Sequence, residues 1–309
     1  MLVRKLVEKN ERVTCLIRKT SNTEPLKKLG VTLCEGDITD RDSLKRGMRD
    51  ADIVFHIAAM LVIGMPNKRE MFEVNVKGTE NVLEIAESLN IKKVVHCSTI
   101  GIFGDSGGKT LTEKDQPTEK WASEYERTKA LAHKIALKYA SKGLNVSIVM
   151  PGVIFGPDDP NFGQLIRAYI EKRIPALPKT DNSAGYVHVE DCANGIILAA
   201  EKGLKGESYI LVSENLKHSE LADYIEKFSG ISRPKKSIGY PTAWFFALLS
   251  ELSAMLTGGD AMLTREGVNQ IFTLNNRFDS SKARKELGWK PEPIEKRFRE
   301  TVEWYLQNR

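Results

Sequence analysis

Five short, unbroken apolar runs punctuate the first half of this sequence, at residues 13–17, 31–34, 53–57 (IVFHI), 93–97 (KVVHC) and 146–149. Between them lie segments with helical periodicity: Leu2, Val3, Leu6 and Val7, then residues 43–49, 73–89 and 125–141. A strand buried on one face alternates apolar and polar residues, whereas these runs are apolar almost throughout, so both faces must be covered. The intervening helices supply that cover. The pattern predicts an α/β fold, a doubly wound parallel sheet, which binds its ligands at the carboxyl ends of the strands.

After Pro151 the rhythm turns irregular, with Gly and Pro crowded into 152–160 and Pro175 and Pro178 interrupting the next helical stretch. One more strand–helix–strand unit follows at 186–189, 192–201 and 209–212, and the sequence ends in an amphipathic helix at 294–307. The expected division is a lobe of residues 1–155 plus 186–212 and a smaller C-terminal lobe of 156–185 plus 213–309. A nucleotide-binding sheet of this kind ordinarily opens with a strand and a glycine-rich turn into a helix, whose N-terminus stabilises a pyrophosphate. Here the first glycine is Gly30, and the residues from Leu2 onward have the pattern that follows such a turn. The opening strand and its loop are absent from this chain. The expectation is a start lost upstream, the alternative a variant that dispenses with the loop. Either way the neighbouring strands should lack backbone partners, and an upstream-extended chain should be the more stable.

Charge and composition exclude several classes. The formal net charge of +5 comes from Lys and Arg interspersed with Asp and Glu, which makes no patch for nucleic acid. Residues 242–256 are the most apolar segment, but they contain Glu251 and are too short to span a bilayer. Trp244, Phe245, Phe246, Leu248, Leu249 and Leu252 in it either line an apolar pocket or form a core or dimer helix. Cys15, Cys34, Cys97 and Cys192 form no CxxC pair and sit in or beside apolar runs, as buried free thiols do. Charges break up the N-terminus, so no signal peptide is read there, and the setting expected is reducing and cytoplasmic. His56 has no companion at metal-ligand spacing, so no metal site is expected.

The chemistry-bearing residues cluster around one helix. Tyr125 and Lys129 in YERTK are four apart and share a helix face, where a cation can lower the pKa of a phenol towards that of a working proton donor. Ser98 and Thr99 directly follow the buried run 93–97, so a hydroxyl there can hold a substrate oxygen whose charge changes during reaction.

Taken in order, IVFHIAA, NVKGTENVLEIAE, VVHCSTIGIFG, YERTK, MPGVIFGP, GYVHVEDCANGIILAAEKG and FDSSKARKELGWKP resemble the extended short-chain dehydrogenase/reductases of the NAD-dependent epimerase/dehydratase superfamily. The stretch around PGVIFGPDD is most similar to the dihydroflavonol-4-reductase-like branch. The resemblance spans nearly the whole chain and implies a Rossmann-type sheet, with Tyr125 as catalytic acid/base and Lys129 lowering its pKa and holding the nicotinamide ribose. It implies that Thr99, with Ser98 beside it, orients the substrate oxygen. Asn75 matches a position near the proton network, or else makes a helix-start hydrogen bond. For the cofactor it implies Asp37 and Ile38 beside the adenine region, Ala58 and Ala59 where small residues admit the dinucleotide, and Pro151 and Val153 against the nicotinamide. Asp37 as a turn cap is the alternative. Arg18 and Lys19 stand where NAD-preferring relatives carry an acid, which favours NADP(H) over NAD(H). Met150 stands where many nucleotide-sugar relatives carry Arg. The function expected is reversible carbonyl reduction of a small-molecule substrate. The alternatives are a nucleotide-sugar epimerase or dehydratase with tightly bound NAD, and a cofactor-free scaffold. The resemblance also implies a homodimer through helices 73–89 and 125–141.

Overall fold

The computed structural model describes residues 1–62, 67–257, 261 and 263–308. The chain begins with α1 (Leu2–Glu8), β1 (Thr14–Ile17), α2 (Glu24–Lys27), β2 (Thr32–Glu35), α3 (Arg41–Met48) and β3 (Ile53–His56). Next comes a single helical rod: α4 (Lys68–Phe72), one π-helical stretch at Glu73–Lys77, and α5 (Gly78–Ser88). There follow β4 (Lys93–Cys97), a 3-10 turn at Ile100–Phe103, β5 (Thr110–Leu111), α6 (Glu124–Ser141), β6 (Val146–Pro151) and β7 (Val153–Phe155). The rest comprises α7 (Phe162–Ile170), β8 (Leu177–Pro178), β9 (Ser183–His188), α8 (Val189–Lys202), β10 (Ser208–Leu211) and β11 (Glu214–Lys217). Finally come α9 (His218–Ser229), β12 (Ser237–Ile238), α10 (Tyr240–Thr257), α11 (Arg265–Thr273), β13 (Arg277–Phe278) and α12 (Ile294–Gln307).

The main sheet has the order β10-β6-β4-β3, all parallel. Alternate residues of β4, β6 and β10 enter opposite cores. Val94, Ile148 and Ile210 pack with Leu83 of α5 and Ala136 of α6. Val95, Val149 and Leu211 pack with Cys192 and Ile196 of α8 and with Trp289. Burial on both faces is why these strands read as unbroken apolar runs. A second sheet, β11-β9-β7, leads towards the C-terminal helices.

β1 and β2 pair in parallel with each other, but among the described residues β1 has no other strand partner and β3 pairs only with β4. The parallel sheet is therefore parted between β1 and β3, where the absent opening strand was expected to leave its neighbours unpaired. Helices and side chains bridge the division. Asn81 Nδ2 donates to the Ile38 carbonyl at 3.2 Å, Arg41 pairs with Glu84 at 2.5 Å, and Lys9 of the α1 end pairs with Glu201 at 2.6 Å.

Two expectations need correction and a third is narrowed. Only Cys192 is buried; Cys15, Cys34 and Cys97 are half-buried because β1 and β2 lie beside the division and Cys97 ends its strand. The helix expected at 73–89 starts five residues earlier, at Lys68, with the π-helical stretch between. The aromatic segment in α10 belongs to no large core: Ala243 and Ala247 turn inward against Val268, while Phe245, Phe246, Leu249 and Leu252 are exposed. Small side chains at four-residue spacing make the close-packing face, and that spacing leaves the large ones outside. No helix among the described residues is long and apolar enough to cross a membrane.

Candidate active site

The carboxyl end of β4 meets the first two turns of α6. Helix α6 starts at Ser123, whose hydroxyl accepts from the Glu126 N–H at 3.1 Å, so Tyr125 lies in the first turn and Lys129 one turn on. Lys129 is buried, and its ammonium donates to the Cys97 carbonyl at 2.5 Å, fastening the helix to the end of the strand. Thr99 follows as the cap of the 3-10 turn, its Oγ1 accepting from the Gly101 N–H at 3.1 Å and its own proton left to donate. The Tyr125 hydroxyl has no protein partner among the described residues. Tyr125, Lys129 and Thr99 are thus gathered where a doubly wound sheet offers its ligand site.

The electrostatics differ from the expectation. Burial pushes the Tyr125 phenol above its ordinary value, and the neighbouring Cys97 thiol and Glu126 push it the same way. Lys129 does not bring it down, because the ammonium is turned to the Cys97 carbonyl; burial in turn lowers the Lys129 pKa. Ser98 is buried, with its Oγ 3.0 Å from His133 Nδ1, so its hydroxyl serves the packing of α6 on β4.

Asn75 lies in the π-helical stretch, so it is no helix-start residue. Its Oδ1 accepts from the Met60 N–H at 2.7 Å, and its Nδ2 donates to the Met60 carbonyl and to Thr128 Oγ1, both at 3.0 Å. A π-turn shifts the facing of one side chain, and here the shifted Asn75 clamps the segment after β3 to α6.

Sequence reasoning missed a buried group beside Lys129. His56 and His96 are register partners on β3 and β4, with rings 5.3 Å apart. His56 Nε2 lies 2.8 Å from Thr79 Oγ1, as befits a packed strand residue, while neither ring nitrogen of His96 has a partner among the described residues. Burial first, and Lys129 second, depress His56 to about 3 and His133 to about 4. The shared position of His in IVFHI and KVVHC was the available signal, legible only once the register of the two strands is known. Glu126 was missed too. Burial, reinforced by Glu266, raises its carboxyl to about 7, while Ala122 N–H and Gln270 Nε2 donate to it at 2.9 and 3.3 Å.

At the ends of β1 and β2, a cavity of about 410 Å³ is lined by Arg18, Lys19, Thr20, Glu35, Asp37 and Arg46 among others. Lys19 is 3.7 Å from Glu35, whereas Arg18 has no carboxylate partner among the described residues. Asp37 Oδ1 accepts from both the N–H and the hydroxyl of Thr39, at 2.9 and 2.8 Å, and so acts as a turn cap on the cavity wall. Ile38 lies against Gly78, where an added Cβ would come within 2.6 Å of it. Ala58 and Ala59 are exposed after β3, Pro151 is the buried end of β6, and Val153 is exposed at the start of β7. The residues singled out from the sequence thus fall into two groups, one at a cavity lined by three cations (Arg18, Lys19, Arg46) and three acids (Glu35, Asp37, Asp40), the other at the end of β4 and the start of α6. The two ends suit a dinucleotide. Among the described residues no three His, Cys, Asp or Glu are grouped to hold a metal. A larger cavity, about 730 Å³, adjoins the first turn of α6 and is lined by Trp121, Ser123, Trp244, Arg265 and Asn269 among others.

Comparison with known proteins agrees with this geometry. The description "NAD dependent epimerase/dehydratase family" matches residues 1–211. The chain is 30% identical over 319 residues to sterol demethylase protein B of Methylococcus capsulatus, covering 99% of this chain and 94% of that protein. It is 28% identical over 313 residues to a Synechocystis protein named "Putative dihydroflavonol 4-reductase", covering 98% and 90%. Its fold matches the crystal structure of gox2253 with a TM-score of 0.84 and 30% identity, covering 99% and 94%. A family match over more than half the chain, on a Rossmann-type sheet with these residues at its carboxyl edge, settles the kinship: the chain belongs to the NAD dependent epimerase/dehydratase family, as an oxidoreductase-type enzyme on its dihydroflavonol-reductase-like branch.

Proposed function

We propose that this protein is an NADP(H)-dependent oxidoreductase that reduces a carbonyl group of a small, largely apolar organic substrate, or oxidises the corresponding alcohol. The observation that carries the reading is the meeting of Thr99, Tyr125 and Lys129 at the carboxyl end of β4, with Lys129 fixed to Cys97 at 2.5 Å. A bound nicotinamide supplies or takes up the hydride. The chain's own residues handle the oxygen: Thr99 donates a hydrogen bond to it, and the Tyr125 hydroxyl, without a protein partner among the described residues, gives it a proton. Lys129, anchored on the Cys97 carbonyl, has ammonium protons left to hold the nicotinamide ribose. Asn75 keeps the segment after β3 in place through its three hydrogen bonds.

Arg18, which has no carboxylate partner among the described residues although Glu35, Asp37 and Asp40 line the same cavity, supports the preference for NADP(H), since a 2′-phosphate needs a cation where NAD-specific sites place an acid. Trp121 and Trp244 in the larger cavity, and the sterol and dihydroflavonol words in the relatives' names, support a substrate with a large apolar part, its polar end meeting the charged remainder of the lining, which includes Lys68, Lys120, Glu124 and Arg127. Glu87 of α5 and Lys134 and Lys138 of α6 are exposed, of opposite sign and without ion-pair partners among the described residues, which supports pairing of two copies through these helices.

The test is turnover of a panel of ketones and aldehydes with NADPH and with NADH. Tyr125→Phe should lose about 10²–10⁴-fold in kcat, the usual worth of one positioned acid/base, while still binding NADPH. Unchanged turnover in that variant would remove Tyr125 from the chemistry. Copurified NAD with turnover of a nucleotide sugar would replace carbonyl reduction with epimerisation.

A further inference from the structure

Helix α10 runs for 18 residues, and its single charged side chain faces inward. Glu251 is bound by Arg265 through Nε at 2.6 Å and through the backbone N–H at 2.8 Å. The outer face carries Phe245, Phe246, Leu249, Leu252, Met255 and Leu256, all exposed, from 44% at Leu249 to 88% at Leu256. Positions 245, 249, 252 and 256 recur every three or four residues, so they form one stripe along the helix. A helix that faces water carries charged or polar residues there, and a contiguous apolar patch of this kind marks an interaction surface.

The surroundings indicate what covers it. The pairing of β8 with β12 brings Lys179 beside residues 236–238 at the N-terminal end of α10, with the Lys179 N–H donating to the Ile238 carbonyl at 2.9 Å. Lys179, Lys235 and Lys236 are exposed, and among the described residues none is ion-paired. Residues 231–257 contain one acidic side chain, the buried Glu251. A second copy laid on this face would present the same lysines with no exposed acid here to meet them. A surface that is apolar beneath and anionic at its rim satisfies both features.

We propose that α10 docks this protein on an anionic lipid bilayer, its aromatic and aliphatic stripe sunk to the acyl boundary and Lys179, Lys235 and Lys236 against the phosphate head groups. The attachment is peripheral. The inner side of the same helix contributes Trp244 and Glu251 to the cavity at the first turn of α6, so docking would bring a bilayer-dissolved substrate close to that cavity. This last consequence rests on the carbonyl-reductase reading; the docking does not.

Co-sedimentation of the full chain with phosphatidylcholine vesicles, with and without about 30% phosphatidylglycerol, tests the docking without any turnover. The expected result is binding at least about tenfold stronger to the anionic vesicles and weakening with salt. Phe246→Glu/Leu252→Glu should abolish it, and Lys235→Glu/Lys236→Glu should reduce it about tenfold or more. These positions are exposed, and unchanged far-UV dichroism would verify the fold of each variant. Failure to sediment with either vesicle, equal binding to both, or undiminished binding of Phe246→Glu/Leu252→Glu would overturn the proposal. So would a mass by light scattering that halves in that variant without vesicle binding by the native chain, because a second copy would then be the occupant.

Discussion

His133 and Glu126 lie on the same helix and should pull the stability of this protein in opposite directions with pH. His133 titrates near 4 in the fold against an ordinary value of 6.5, because burial and Lys129 disfavour its cation. Between those values the unfolded chain binds the extra proton, so the contribution of His133 is complete above pH 6.5 and is lost as pH falls towards 4, by about 3 kcal/mol. Urea unfolding of His133→Asn should show a shallower fall between pH 6.5 and 4.5 than the native chain; parallel curves would remove His133 from the acid response. Glu126 is raised from 4.5 to about 7 by burial and by Glu266, so here the fold holds the proton more tightly. Its cost is absent below pH 4.5 and grows as pH rises to 7. Glu126→Gln should therefore gain on the native chain between pH 5 and pH 8, by up to about 3 kcal/mol, and a pH-independent difference would count against this account.

At the scale of elements, the apolar runs were legible because burial on both faces leaves no alternation to misread. The run 93–97 coincides with β4 and the expected helix 294–307 with α12. Short pairings such as β5 with β13 and β8 with β12 were not legible, since two residues carry no periodicity and depend on partners more than 50 positions away. The π-helical turn at Glu73–Lys77 was equally invisible: nothing local in EVNVK marks it, and it is held by bonds from Asn75 to Met60 and Thr128. In the site, Tyr125, Lys129 and Thr99 could be read from helix spacing and from their place after a strand, whereas the histidine group needed the register. The tie between α8 and α12 was also hidden. Arg297 meets Asp191 through Nε and Nη2 at 2.9 and 3.0 Å, both side chains nearly enclosed, and Trp289 Nε1 donates to the Asp191 carbonyl at 2.9 Å. Removing one partner strands a buried charge, so Arg297→Met should cost about 3–5 kcal/mol in chemical denaturation, and Asp191→Asn in addition should return part of it. A double variant no more stable than the single would mean that the cost lies in lost packing of the arginine stem.

Across the whole molecule, the parting of the sheet separates the two ends of the proposed cofactor site. Arg18, Lys19 and Asp37 stand on the β1–β2 pair, whereas Thr99, Tyr125 and Lys129 belong to β4 and α6. No strand ladder joins the two among the described residues, so the link runs through side-chain packing, with Leu44 and Met48 of α3 in one core with Val82 and Leu83 of α5, and through exposed contacts such as Arg41–Glu84 and Lys9–Glu201, each worth little in water. The β1–β2 unit should consequently open more readily than the main sheet, with exchange of its amides governed by local unfolding. NADPH bound at both ends would act as a bridge, and ligand binding stabilises by about 2.7 kcal/mol at a hundredfold excess over Kd. Hydrogen exchange should therefore slow on NADPH addition most strongly in residues 14–35, by on the order of 10²-fold for amides that exchange through opening of that unit. The amides of β4 and β6 should change far less. Arg18→Glu should shrink the NADPH effect while leaving exchange without cofactor unaltered. Protection confined to α6, with residues 14–35 unaffected, would show that the cofactor does not reach the β1–β2 cavity, and the basic residues there would need another ligand.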